Sequence, residues 1–331
     1  MIDLTGPPRP WSPRLAQRFA HCQQEALRTP EWWRGPAPFG EPELRDRLAE
    51  LFGAPPERTV VTGGVRQFAT VWAVVAPASV PEAGRAPMVV EVPTFADVPE
   101  IMGAAISVEA RAWSNLGAVP QIVPLWLTNP FRNPDGRSLG PEQISVLADR
   151  IAAGVPVVIN EVYRWYGRPG PVPEGAWIVT SLAKLVGPGV RLGWFVAPDA
   201  ASIARPLTSD GPPTAWQRCW ARFLDAHTIN ALRSDIVEAT LDAKRAFLQQ
   251  LTGTPEWQGN SPHLTVAHST MDEPTALRRL ADAGVRASPG AAFRTPIAAL
   301  RLAFSGVTVA EAAEAARVFA KVGGFSPVLF D

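Results

Sequence analysis

The sequence is poor in cysteine, tyrosine and histidine, and it has no excess of either charge. Its 331 residues include two cysteines, two tyrosines and four histidines, and the histidines fall in no motif. Cys22 and Cys219 lie far apart and without metal-ligand spacing, which favours a reduced cytoplasmic protein over a disulfide framework. Because 31 basic residues balance 31 acidic residues, we expect no nucleic-acid partner.

Long apolar runs are also missing. No uninterrupted apolar stretch approaches the roughly 20 residues of a membrane span, and residues 1–14 lack the apolar core of a signal peptide. We therefore expect no membrane partner. The chain is nevertheless 47% hydrophobic, and it exceeds the roughly 250–300 residues at which single cores stop growing. These features predict a globular protein with two lobes.

Apolar strand-like runs alternate with helical periodicity across the middle of the chain. We predict strands at 58–62, 88–92, 121–127, 155–159, 177–182 and 191–197. We predict helices at 14–27, 44–52, 65–75 and 141–153, the second ending at Gly53. Continuous apolar strands separated by helices indicate an α/β fold with a mostly parallel sheet covered by helices on both faces.

The pattern changes after residue 206. One long helical stretch is predicted over 214–251, followed by short strand and helix units around 264–268 and 300–304. The last helix opens at Thr308, with Glu311 in the spacing of a capping box. We predict a large domain over 40–205 and a smaller α+β domain built from 1–39 and 206–331.

The clearest chemical signal is the segment 181–194, SLAKLVGPGVRLGW. Lys184 follows a buried strand, where burial would favour the neutral amine that can condense with an aldehyde. Ser181 and Arg191 lie close enough in sequence to reach one phosphate, and a guanidinium suits that ligand. A lysine alone would be read as a surface residue in a turn, whereas the whole segment favours a cofactor site.

This segment resembles the lysine motif of the class I/II aminotransferases, which are fold-type-I pyridoxal-phosphate enzymes. Further motifs follow in the family's order: 40–45 (GEPELR), 62–67 (TGGVRQ), 93–95 (PTF), 129–136 (NPFRNPDG), 160–163 (NEVY), 288–290 (SPG) and 300–302 (LRL). The resemblance implies a Schiff base between Lys184 and pyridoxal phosphate. It also implies amino transfer from an amino acid to a 2-oxo acid, and a homodimer with the active site at its interface.

The resemblance also implies which residues hold the cofactor phosphate. Gly63 and Gly64 would expose successive backbone N–H groups at a helix N-terminus, which favours an anion. Ser181 and Arg191 would complete this site. Val65 stands where the family often has a hydroxyl, so only backbone contacts remain at that position.

Four further side chains take roles from the resemblance. Phe95 would stack on the pyridine ring, and Tyr163 would hydrogen-bond its phenolic oxygen. Asn133 would contact that oxygen or the substrate carboxylate, and Arg301 would bind the carboxylate in a bidentate fork. Each also has an ordinary structural reading: a core ring, a buried tyrosine, a turn before proline and a solvated strand arginine.

Asn160 departs from the family pattern. The family has an aspartate there that pairs with the protonated pyridine nitrogen, whereas asparagine is neutral and can either accept or donate one hydrogen bond. One interpretation is a slower transaminase with a tolerated isostere. Others are a decarboxylase, lyase, cyclase or oxidase of a biosynthetic pathway, or a non-catalytic regulatory protein on the same fold.

Overall fold

A computed structural model describes residues 1–79, 88–167, 170–203, 211–253 and 259–331. The strands are β1 (Ile2–Asp3), β2 (Thr59–Thr62), β3 (Met88–Val92), β4 (Val108–Ala112), β5 (Leu125–Thr128), β6 (Val157–Asn160), β7 (Trp177–Ser181), β8 (Gly193–Val196), β9 (His263–His268), β10 (Val285–Arg286), β11 (Ser288–Pro289), β12 (Leu300–Ala303) and β13 (Phe325–Pro327). The helices are α1 (Pro13–Arg28), α2 (Pro42–Phe52), α3 (Val65–Ser79), α4 (Asp97–Gly103), α5 (Pro141–Ala152), α6 (Ala183–Val186), α7 (Thr214–Phe223), α8 (Ala226–Leu232), α9 (Ala239–Thr252), α10 (Glu273–Asp282) and α11 (Val309–Val322).

The larger sheet has seven strands in the order β2-β8-β7-β6-β5-β3-β4. The strands from β7 to β4 are parallel, whereas β8 runs antiparallel to both of its neighbours. The prediction of a mostly parallel sheet is therefore confirmed. The antiparallel β8 returns the chain to β2, and thereby brings the loop at residues 187–192 beside the turn that follows β2.

Apolar residues on both faces of this sheet explain why its strands read as continuous apolar runs. Along β6, Val158 packs in one core cluster with Phe68 of α3, while Val157 and Ile159 pack in another with Leu147 of α5. Successive side chains of a strand point to opposite faces. A strand buried on both faces must therefore be apolar at every position, which confirms that helices cover the sheet on both sides.

The smaller sheet is antiparallel, in the order β11-β12-β9-β13. Its apolar face packs in one cluster with α9 and α11, around Phe247 and Phe319. The N-terminal segment joins this part of the protein, because β1 pairs with β10 and Thr5 bridges to Ala303. The division of the chain into domains at residues 40 and 205 stays a prediction.

Two predicted elements are wrong in extent. The helical stretch over 214–251 is interrupted, because Leu224 is extended and the Asp225 side chain accepts a hydrogen bond from Thr228 N at 2.7 Å, which starts a new helix. Residues 233–238 of that stretch then form π-helical turns. The strand predicted at 121–127 begins only at Leu125, since Arg150 donates hydrogen bonds to the carbonyls of Pro120 and Val123 and holds this stretch in a turn.

Other local predictions are confirmed. Helix α2 ends at Gly53, whose φ of +67° places it in the left-handed region that terminates helices. Helix α11 begins with the predicted capping box, in which Thr308 N donates to Glu311 Oε2 at 2.8 Å. In the described part of the chain, none of the helices combines the length and apolar character that crossing a bilayer requires.

Candidate active site

A cleft of about 440 Å³ opens at the carboxyl ends of the parallel strands. This is where α/β sheets commonly bind ligands, and the volume lies within the roughly 300–1,000 Å³ of small-molecule sites. The cleft brings together every residue that the sequence predicted for the site: Gly63, Gly64, Val65, Phe95, Asn133, Asn160, Tyr163, Ser181, Lys184, Arg191 and Arg301.

Lys184 is held at the cleft by the turn that ends β7. The Ser181 hydroxyl accepts a hydrogen bond from Ala183 N at 2.9 Å, and this turns the chain into the short helix α6. Tyr166 donates to the Lys184 carbonyl at 3.4 Å, and Leu185 anchors the helix with no exposed surface. Lys184 itself is exposed, which corrects the expectation of a buried amine. The preceding strand β7 is buried, but Lys184 lies after the end of that strand, on α6.

The backbone N–H groups of the glycine turn are not available in the way the sequence predicted. Gly63 N donates to Gln67 Oε1, and Gly64 N donates to Thr62 Oγ1 at 3.1 Å. The glycines instead allow a close approach of chain segments. Gly64 has a φ of +109°, and a Cβ on Gly193 would lie 2.9 Å from its Cα.

The backbone N–H groups that remain available for an anion are those of the two residues after Gly64. Within the described residues, the backbone N–H groups of Val65 and Arg66 have no hydrogen-bond partner, and they are the first of the 15-residue helix α3. Arg191 lines the same part of the cleft, and its side chain forms no ion pair or hydrogen bond with the part of the chain that the structure describes. Together with the Ser181 hydroxyl, these groups form a candidate anion site in the cleft.

The backbone around Arg191 is fixed, although its side chain has no hydrogen bond or ion pair with the described residues. Trp216 Nε1 donates to the Val190 carbonyl at 2.8 Å, and Leu182 N donates to the Leu192 carbonyl at 3.0 Å. Arg191 adopts a φ of +45° between them. This conformation is costly for a residue with a Cβ, and the two flanking hydrogen bonds hold it in place.

Asn160 lies on the floor of the cleft at the end of β6. It is 8% exposed, and its Oδ1 accepts a hydrogen bond from Val162 N at 3.2 Å. Tyr163, three residues later, is 3% exposed and packs edge-on against the His263 ring. The Lys184 ammonium lies 5.6 Å from the centre of the Tyr163 ring.

Arg301 reaches the opposite wall from β12. Its Nη1 donates to the Thr5 carbonyl at 2.9 Å, whereas its buried Nε has no partner within the described residues. Burial lowers the pKa of Arg301, and the neighbouring hydroxyls of Tyr163 and Tyr166 act in the opposite direction. Asn133 also lines the cleft, and its Oδ1 is buried without a partner in the described chain. Both side chains thus retain hydrogen-bonding capacity for a ligand.

Two groups of lining residues escaped the sequence reasoning. Thr5 and Gly6 enter the cleft because the N-terminal segment pairs with the C-terminal part of the chain, for which the sequence carries no local signal. Phe293 lines the cleft beside Phe95, with 5.8 Å between ring centres. Phe293 lies three residues after the 288–290 motif, so that motif could have pointed to it. Its side chain adds a second aromatic ring next to Phe95.

The charges of the cleft fit a dianionic phosphate and a carboxylate. Arg66, Lys184, Arg191 and Arg301 line it, against the single carboxylate of Asp97 in the described lining. Asp97 is already engaged with Arg66 at 3.1 Å. Pyridoxal phosphate therefore fits these residues: the anion site accepts its phosphate, the exposed Phe95 ring offers a flat surface, and Lys184 supplies an amine.

Comparison with known families agrees with this geometry. The model of the family described as aminotransferase class I and II matches residues 110–319. The chain belongs to the class I and II aminotransferases. As a member, it is a transferase that depends on pyridoxal phosphate and exchanges an amino group between an amino acid and a 2-oxo acid.

Solved structures of aminotransferases share the fold. Aspartate aminotransferase from Thermus thermophilus has 22% identity and a TM-score of 0.79, with 97% of this chain and 91% of that chain covered. The α-aminoadipate aminotransferase from the same species, complexed with N-(5'-phosphopyridoxyl)-L-leucine, has 18% identity and a TM-score of 0.78 over 96% of this chain and 90% of that chain. An aminotransferase from Mycobacterium tuberculosis has 18% identity and a TM-score of 0.76, covering 97% and 91%. No curated protein sequence matches this aminotransferase significantly.

Proposed function

We propose that Lys184 is the residue that carries the cofactor and moves the proton between the substrate Cα and the cofactor C4′ atom during amino transfer. The supporting observation is its uniqueness in the cleft. The chain has three lysines, Lys184, Lys244 and Lys321, and only Lys184 lines this cleft. Lys244 is 2% exposed and donates to the carbonyl of Ser261 at 3.0 Å, away from the site.

When bound, pyridoxal phosphate would supply a reactive aldehyde and an electron-withdrawing ring. The Val65 and Arg66 N–H groups, Ser181 and Arg191 would hold its phosphate. Gly63 and Gly64 shape this turn rather than donate to the phosphate. Their own N–H groups already have partners in the chain.

Arg301 and Asn133 orient the substrate in this proposal. The guanidinium binds the α-carboxylate through the side that includes the unpartnered Nε, while Nη1 stays on Thr5. Asn133 hydrogen-bonds either that carboxylate or the phenolic oxygen of the cofactor. Tyr163 would hydrogen-bond the phenolic oxygen, and Phe95 would stack on the ring. With the carboxylate fixed and the substrate amine in place of Lys184 on the cofactor, the freed Lys184 amine would take the proton from Cα as general base. It would then deliver that proton to C4′ as general acid.

Borohydride reduction of the protein loaded with pyridoxal phosphate tests the assignment of Lys184. We expect the pyridoxyl mass on the peptide that contains Lys184, and no labelling in Lys184→Arg. Lys321→Arg is the matched control, because Lys321 lies on α11 outside the cleft, and it should be labelled like the wild type. Label that persists in Lys184→Arg, or that maps to another lysine, would overturn the proposal.

We further propose a homodimer, with residues 1–39 contributing to its interface. A second cleft beside the anion site is lined by Leu27 and Trp216 and shares Gly63 and Arg191 with the first. Trp33, near Leu27 in sequence, is 71% exposed. Sedimentation analysis should show a dimer for the wild type and a shift to monomer for Trp33→Glu; a monomeric wild type would contradict this.

We also propose a reducing compartment, such as the cytoplasm. Cys22 and Cys219 are both buried free thiols. Burial raises the pKa of Cys22; burial and the neighbouring Cys22 thiol together raise the pKa of Cys219 to about 12. Two neighbouring cysteines that remain free thiols fit a reducing compartment. Mass spectrometry of protein purified without reductant should find both as thiols, and a disulfide would contradict the proposal.

A further inference from the structure

The amide of Asn160 has a fixed orientation. Its oxygen accepts the hydrogen bond from Val162 N, and only the oxygen end of the amide can accept from an N–H group. The NH₂ end is therefore the one left free. Within the described residues it has no hydrogen-bond partner, and Asn160 lines the cleft. A ligand atom that reaches this position meets a donor.

The chemistry of the cofactor places its ring nitrogen on this side. In pyridoxal phosphate the ring nitrogen lies para to the carbon that bears the aldehyde, so an aldehyde directed to Lys184 directs the nitrogen away from it. Lys184 stands beyond the end of β7, whereas Asn160 is paired with Val179 inside the sheet. In the proposed binding mode, the ring nitrogen therefore points towards the end of β6, where Asn160 lines the cleft.

The described lining of the cleft contains no unpaired carboxylate that would favour a proton on the ring nitrogen. Asp97 is the one carboxylate in the described lining, and it is paired with Arg66. Glu161, next to Asn160, does not line the cleft and pairs with Arg164 at 3.2 Å. The other charged groups in the described lining are cations, so this lining holds no unpaired carboxylate that would favour a protonated nitrogen.

We propose that Asn160 donates a hydrogen bond from Nδ2 to the ring nitrogen of the cofactor and holds that nitrogen unprotonated. This inference rests on the proposed function, because it requires the aldehyde to be at Lys184. The neutral ring withdraws electrons from the substrate less strongly than a pyridinium would. Asn160 thereby controls how strongly the ring withdraws electrons, while Lys184 and Arg301 position the cofactor and the substrate.

The test is the ¹⁵N chemical shift of ring-labelled pyridoxal phosphate bound to the protein. The wild type should show the shift of an unprotonated pyridine, and Asn160→Asp should show that of a pyridinium. The Asn160→Asp variant keeps the local structure, since one carboxylate oxygen can accept from Val162 N while the other faces the ring. Pro188→Asp adds the same charge at an exposed position of the cleft lining that has no role in the proposed site, and it should leave the nitrogen unprotonated.

The outcomes separate this inference from the proposed function. A pyridinium shift in the wild type would overturn the inference, and so would an unprotonated nitrogen in Asn160→Asp. A pyridinium in Pro188→Asp would also overturn it, since the overall electrostatic field of the cleft would then control the protonation of the ring nitrogen. Borohydride labelling of the same samples reports on Lys184 independently. Labelled Lys184 with a protonated nitrogen would leave the proposed function standing.

Discussion

The guanidinium of Arg132 and the carboxylate of Asp135 form an ion pair in which neither side chain has exposed surface. Arg132 Nε donates to Asp135 Oδ1 at 3.0 Å, and the guanidinium lies 4.2 Å from the centre of the Trp113 ring. Arg132 also donates to the Phe330 carbonyl at 2.6 Å. The pair therefore fixes the loop that carries Asn133 into the cleft.

Asp135→Asn should destabilise the protein strongly. It leaves the buried guanidinium without its counter-charge, and breaking a buried pair by removing one partner costs about 3–5 kcal/mol. Chemical denaturation would measure this loss. The control is Asp242→Asn, which breaks an ion pair with Arg245 whose side chains are about half exposed. It should unfold like the wild type, and equal stability of the two variants would show that Asp135 is not essential to this loop.

Glu91 should make stability depend on pH. Burial raises the pKa of this carboxyl from 4.5 to about 7, although Arg132, Thr128 and Trp113 act against the shift. Between these two values the folded state binds more protons than the unfolded state, so the free energy of unfolding falls as pH rises. The contribution is fully present below about pH 4.5 and is lost as pH rises through about 7.

Glu91→Gln removes this titration. The difference in unfolding free energy between wild type and variant should therefore change across that window, by about 3 kcal/mol at the most. The absolute stability of the variant is a poor readout, because the new amide NH₂ would face the Trp113 donor that now bonds to Oε2 at 2.8 Å. A difference that stays constant across the window would contradict the prediction.

Arg301→Lys should impair substrate binding more than turnover. The substitution keeps the charge and removes the planar fork, and a hydrogen bond to a charged group contributes about 1.5–3 kcal/mol. We expect KM for the amino acid to rise by about 10- to 100-fold, with a smaller change in kcat. Arg286→Lys, on an exposed arginine of β10, is the matched control and should keep the wild-type KM. An unchanged KM in Arg301→Lys would remove Arg301 from the carboxylate site.

Gly193→Ala should displace the turn after β2 and thereby disturb the anion site. A Cβ there would lie 2.4 Å from the Thr180 carbonyl oxygen and 2.9 Å from Gly64 Cα, so the turn after β2 must move. Overpacking of this kind costs about 1–3 kcal/mol, and we also expect weaker binding of pyridoxal phosphate in a fluorescence titration. Gly117→Ala is the control, since a Cβ at Gly117 meets no atom within 4 Å. Equal cofactor affinity in the two variants would argue against the close approach.

Predictions from the sequence succeeded where the signal was local. The α2 terminus at Gly53 and the capping box at Thr308 follow from one or two neighbouring residues, and both are confirmed. The predicted helix over 214–251 failed at Asp225, where a single side chain caps a new helix inside an otherwise helical pattern. The spacing of apolar residues does not reveal such a cap, because the cap interrupts the helical backbone without interrupting the apolar pattern.

The sequence by itself determined the kind of protein and its set of chemical groups: an α/β chain with one candidate lysine, two arginines for anions, and asparagine at position 160. These follow from the order of the motifs and from their resemblance to the class I/II aminotransferases, neither of which depends on the folded structure. Only the tertiary structure decided which of these groups meet in one cleft. Arg301 reaches the cleft that holds Lys184, and its Nη1 donates to the Thr5 carbonyl, because the N-terminal segment bridges to β12. These contacts join residues at least 296 positions apart, and no local pattern of residues specifies such a pairing.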